Sequence, residues 1–144
     1  MKKTKLSIHC MLSNIESHDN PETLHKWHVG ERGWSYTGYH ALISKDGTIH
    51  THKTNKLMRP LKRDAAAVKG HNDGMIAICL WGIDENDFTR EQYKALTRQA
   101  QHYLHRFDGI ERGEIKGHNE YSGHKDRGCP NFDIRKILWS GALL

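Results

Sequence analysis

The stretch Met75-Ile76-Ala77-Ile78-Cys79-Leu80-Trp81 has no polar side chain in it. A strand with one face in water alternates polar and apolar residues; an unbroken apolar strand must be covered on both faces. Residues 75–81 therefore read as a central strand, and a central strand needs layers packed above and below its sheet. Around it, Leu6 to Cys10 alternates and reads as a first strand. Asn20-Pro21-Glu22 opens a helix, with Asn as N-cap and Pro in the first turn, which runs through Leu24, Trp27 and His28 and stops near Gly30 or Gly33. Gly38 to Ser44 is a strand, Lys45-Asp46-Gly47-Thr48 a hairpin turn, and Ile49 to His52 the return strand. Residues 53–74 are polar and irregular, a long loop. Thr89-Arg90-Glu91-Gln92 fits a capping box. The helix it opens carries Tyr93, Leu96, Ala100, Tyr103, Leu104 and Phe107 at helical spacing. Glu114 to Gly117 is a short strand, and Asp133 caps a last helix, Ile134 to Trp139. The expectation is an α/β fold: a single domain, 1–144, with a central mixed β-sheet of about five strands packed by helices.

Composition narrows the function classes. No run of about 18 apolar residues exists, so no membrane insertion is expected. The basic start, Met1-Lys2-Lys3-Thr4-Lys5, is followed by sequence too short and polar for a signal-peptide core, so a cytoplasmic location is expected. The net charge of +5 suits an anionic partner such as nucleic acid, a membrane surface or envelope polymers. The cations are scattered, with no dense Lys/Arg block and no aromatic ladder, so specific nucleic-acid binding is not expected.

Two imidazoles and a thiolate suit a catalytic zinc whose fourth position is left to water. His9 closes the first strand, His118 follows the Glu114–Gly117 strand, and Cys129 sits in a polar loop stiffened by Pro130. No pair among them has a diagnostic spacing, and each histidine taken singly is more often a surface or core residue. Cys79, inside the apolar strand, reads as core filler. Cys10, next to His9, points to the opposite sheet face and reads as core as well. His50 with His52, and His102 with His105, share element faces but lack a third ligand, and read as surface residues.

The order of landmarks along the chain adds to this. Ile8-His9-Cys10, Trp27-His28, Gly33-Trp34, Gly38-Tyr39-His40 and Lys45-Asp46-Gly47-Thr48 are followed by Lys69-Gly70-His71-Asn72 and Ile76-Ala77-Ile78-Cys79-Leu80. Gly117-His118-Asn119-Glu120 and Cys129-Pro130-Asn131-Phe132-Asp133 complete the series. In this order the chain resembles the phage lysozymes that are N-acetylmuramoyl-L-alanine amidases, relatives of the peptidoglycan recognition proteins. The resemblance implies that His9, His118 and Cys129 hold one Zn²⁺ per chain. It further implies that the substrate is peptidoglycan, cut at the amide between N-acetylmuramic acid and the L-alanine of the stem peptide. Tyr39 matches a catalytic tyrosine. Zinc with three protein ligands lowers the pKa of bound water to about 7 and polarises a carbonyl, which agrees with that chemistry.

Two departures from the family pattern stand out. A catalytic lysine is expected two positions before the cysteine, where this chain has Arg127. Arginine can stabilise negative charge but cannot shuttle a proton. The stretch from His118 to Cys129 is longer than the family's usual spacing, so Lys125 is the alternative cation. Ala67 stands where the family often has a cleft histidine; His40 or His71, with Asn72, are candidate substrate contacts instead. Lack of a leader fits an enzyme that accumulates in the host cytoplasm and acts on the wall after release by another protein. The resemblance leaves two alternatives: a non-catalytic peptidoglycan-binding module, or an amidase with an added role inhibiting a phage RNA polymerase. The default oligomeric state is a monomer.

Overall fold

The computed structural model describes residues 2–135. Five strands form one mixed sheet: β1 (Lys5–Cys10), β2 (Ala41–Ile43), β3 (Ile49–Thr51), β4 (Met75–Leu80) and β5 (Ile115–Gly117), in the order β3-β2-β4-β1-β5. β1 runs parallel to both β4 and β5, β2 runs parallel to β4, and only the β2–β3 hairpin is antiparallel. The unbroken apolar strand is central, and all six of its residues are buried.

Alternation divides the side chains between two layers. Leu6, Ile8, Ile43, Ile76, Ile78 and Leu80 pack with Ala95, Leu96, Ala100 and Tyr103 of α2 (Arg90–Arg106). Each Leu or Ile so buried contributes about 2 kcal/mol. On the other face Leu42, Cys79, Met11 and Trp81 meet Leu24 of α1 (Pro21–His25), with Tyr39 at the edge of that cluster. Cys10 is buried in the α2 layer and Cys79 in the α1 layer, both as core residues.

Capping follows the expected chemistry. The Asn20 side chain accepts from Thr23 N at 2.8 Å, and Thr89 accepts from Gln92 N at 3.1 Å. Gln92 is wholly buried, yet its amide is satisfied: it accepts from Thr89 N and donates to the carbonyls of Ile43 and Trp81. That one side chain ties the start of α2 to the ends of β2 and β4.

Two elements differ from expectation. Beyond α1 the chain continues as a wider helical turn, Lys26–Glu31, before Gly33 turns it at a φ of +75°. The Gly38–Ser44 strand shortens to Ala41–Ile43, because Gly38 donates to the His28 ring and accepts from Ala66 N instead of pairing in the sheet. A Cβ on Gly38 would lie 2.3 Å from the Ala66 carbonyl oxygen, so only glycine fits there. Of the last helix, Ile134 and Arg135 are helical; residues 136–139 lie outside the described residues. Lys3, part of the basic start, is not a free surface cation: it is buried and paired with Asp64 at 2.9 Å.

Candidate metal centre and cleft

Parallel pairing of β1 with β5 sets Ile8 opposite Gly117, so His9 and His118 fall on the next rung, at the carboxyl ends of adjacent strands. Their ring centroids lie 4.8 Å apart. Cys129 is brought to the same point by the loop that precedes it. Cys10 N donates to Cys129 Sγ at 3.1 Å, and Asn119 holds the cysteine loop through Cys129 O at 3.0 Å and Pro130 O at 3.3 Å. The donor atoms of His9, His118 and Cys129 all lie within 4.8 Å of one another, and among the described residues they form the one such His/Cys/carboxylate group.

Hydrogen bonding engages one nitrogen of His9. Ser7 Oγ lies 2.7 Å from His9 Nε2 and, by donating to Met75 Sδ at 3.1 Å, can accept from that nitrogen. With its proton on Nε2, His9 keeps a bare lone pair on Nδ1. That atom is fully buried and has no partner, a costly arrangement unless something electrophilic is meant to meet it. Burial is also the main force holding His9 well below the ordinary histidine pKa, with His118 and His124 adding to it. Burial, then His124 and Arg127, lower His118 to about 4. Both rings are thus neutral near pH 7, the form that binds a metal. The Cys129 thiol is pushed upward by contact with the Cys10 thiol and by burial; a coordinating cation reverses such a shift. Two neutral imidazoles, one aimed and unpartnered, and one sulfur fit a single zinc with an open side.

The open side faces a cleft of about 780 Å³. Leu24, Trp27, His28 and Trp34 line it together with Ala66, Ala67, Lys69, Gly70 and Asn72. Tyr39, His118, His124, Arg127 and Cys129 line it as well. Tyr39 packs on His9 with ring centroids 5.1 Å apart. Burial keeps its hydroxyl far above the usual tyrosine pKa, so it remains a proton donor.

The remaining sequence candidates are placed as follows. Arg127 lines the cleft, whereas Lys125 is exposed and outside the lining. Asn72 lines it too, but its Oδ1 is engaged by the amides of Ala67 and Val68, so it braces the wall. His71 stacks on Tyr121 and reaches the Ser122 carbonyl at 3.0 Å, outside the lining. His40 is buried away from the cleft, with Nε2 2.7 Å from Arg63 O and Nδ1 accepting from Ala77 N. Both of its nitrogens hold backbone, which leaves none for a substrate. His50 and His52 reach Ser44 Oγ and Met58 O.

The structure adds two residues that the sequence did not single out. His28 accepts from Gly38 N and packs on Trp34 and Tyr39, and burial lowers it to about 4. His124 sits 3.0 Å from His118. The Trp-His pair at 27–28 was a visible signal for the first; nothing in the local spacing pointed to the second.

A mixed α/β sheet with a two-histidine, one-cysteine donor set at its carboxyl edge, open to a cleft, defines a candidate single-metal hydrolase. The comparisons make the class specific. The N-acetylmuramoyl-L-alanine amidase family profile matches residues 3–132, and the chain belongs to that family. The endolysin of Enterobacteria phage K11 is 28% identical over 95% of this chain and 86% of its own. The endolysin of Escherichia phage T7 is 28% identical over 90% and 81%. Among solved structures, the N-acetylmuramoyl-L-alanine amidase LysC from Clostridium intestinale superposes with a TM-score of 0.78 at 24% identity, covering 97% of this chain and 85% of that one. Among the described residues no helix is long and apolar enough to cross a membrane.

Proposed function

We propose that this chain is a zinc-dependent peptidoglycan amidase acting as an endolysin, which hydrolyses the amide between N-acetylmuramic acid and the L-alanine of the stem peptide. The observation that carries the proposal is the buried, partnerless Nδ1 of His9, converging with His118 and Cys129 beside the cleft. Family membership and the endolysin relatives support the substrate class.

His9, His118 and Cys129 would hold the zinc. When bound, it supplies Lewis acidity toward the scissile carbonyl and an acidified water as nucleophile. Tyr39, whose hydroxyl stays protonated, donates a hydrogen bond to the oxygen on which negative charge develops. Arg127, a permanent cation on the cleft, lowers the energy of the same charge. Trp27, Trp34 and Leu24 present the apolar wall on which a sugar ring or peptide methyl packs. The endolysin relatives support a role at the host cell wall.

A non-catalytic peptidoglycan binder is the second reading. Arg127 in place of lysine and Ala67 in place of a cleft histidine favour it; the complete donor set favours catalysis. Chloroform-treated Gram-negative cells distinguish the two. The amidase clears their suspension, a chelator stops the clearing, and zinc restores it. Zinc-loaded protein that binds the wall but leaves turbidity unchanged supports the binder.

A further inference from the structure

Near His118 the hydrogen-bonding partners form a directed chain. His124 Nε2 lies 3.0 Å from the Lys69 carbonyl, which can only accept, so Nε2 carries the proton and Nδ1 is a bare lone pair. That lone pair lies 3.0 Å from His118 Nε2, which must therefore be the protonated nitrogen of the His118 ring. His118 is left with Nδ1 as its lone-pair nitrogen. Ser7 produces the same protonation pattern on His9 by a different partner.

We propose that His124 is a positioning residue for the metal centre: it fixes the ring orientation and tautomer with which His118 offers Nδ1 to the ion. The proposal rests on the metal-centre reading above. Outer partners of this kind hold a ligating imidazole in place and raise its basicity. His124 is suited to the role because it is itself held. It is buried, tied to the Lys69 carbonyl, and flanked by the His71 ring with centroids 6.0 Å apart. Successive turns fix its backbone, with His124 N donating to Tyr121 O and Arg127 N donating to His124 O. It is not one of the converging donors, which are those of His9, His118 and Cys129. It sits in the segment that joins His118 to Cys129, so the stretch linking two of the donors also carries the partner of the first.

The test is zinc affinity of the full chain, measured by competition with a chromophoric chelator, together with the absorption spectrum of the cobalt-substituted protein. Four proteins are compared: wild type, His118→Ala, His124→Ala and His124→Gln. His124→Ala is expected to weaken zinc binding about 10- to 100-fold, with the cobalt–thiolate band kept in position. His124→Gln supplies both an acceptor and a donor, and is expected to recover affinity to within a few-fold of wild type. Wild-type affinity in His124→Ala, with zinc lost in His118→Ala, overturns the positioning role and leaves the metal centre standing. Zinc retained by His118→Ala overturns the metal-centre reading itself. If His124→Gln is as weak as His124→Ala and both shift the cobalt spectrum, His124 is a direct ligand and the proposal fails.

Discussion

The Ser7 hydroxyl lies 2.7 Å from Nε2 of His9 and 3.1 Å from Met75 Sδ, so a proton given to the sulfur leaves an acceptor for the imidazole. Ser7 and His9 point to the same face of β1, so the strand's two-residue period itself supplies the proposed ligand and a partner for its ring. Ser7→Ala removes the acceptor and leaves a buried N–H unsatisfied. Chemical denaturation of the metal-free protein should show a loss of about 1–3 kcal/mol. Zinc competition should show weaker binding by about 10-fold or more.

In the proposed mechanism Tyr39 contributes a hydroxyl and not a metal donor. Tyr39→Phe should retain zinc while turnover on purified peptidoglycan falls by about 10²–10³, the usual cost of one lost oxyanion donor. Loss of zinc in this variant would instead make the tyrosine a structural support of the site.

Arg127 lines the cleft and Lys125 does not. Arg127→Ala should therefore reduce turnover with zinc retained, and Arg127→Lys should recover part of it. Lys125→Ala should leave turnover within two- to three-fold of wild type, as expected for an exposed surface cation. The reverse ranking in steady-state assays would reassign the cationic role.

His40 predicts the direction of acid sensitivity. Burial lowers its pKa from 6.5 to about 4 in the folded state. Between those values the unfolded chain takes up the proton and the folded chain does not. Stability is therefore full above pH 6.5 and falls as pH drops toward 4, by up to about 3 kcal/mol from this residue. Denaturation of the metal-free protein from pH 7.5 to 4.5 measures the slope. His28, also lowered to about 4, acts in the same direction. His40→Gln should flatten the curve while lowering stability at pH 7.5.

What the sequence revealed follows from which interactions are local. The unbroken apolar residues of β4 and the Thr89–Gln92 cap with its periodic helix are local patterns, and both elements stand where they were expected. The donor set is not local: it depends on the β1–β5 register and on Asn119 clamping the Cys129 loop. Without the family resemblance, residue types alone offered three scattered candidates. Tyr39 and His40 are neighbours, and both were read as site residues, one catalytic and one a substrate contact. The structure turns Tyr39 toward His9 and commits both nitrogens of His40 to backbone. His124 was invisible because its role requires the 121–128 segment to fold back onto Lys69, a contact no pattern in the chain announces.

A zinc titration of the metal-free protein, scored by the new L-alanine amino termini released from purified peptidoglycan, tests the single-zinc site most directly. Such a site predicts no release without metal, a linear rise to one zinc per chain, and a plateau beyond it. Release that persists after complete chelation, or no release at one equivalent of bound zinc, would contradict it.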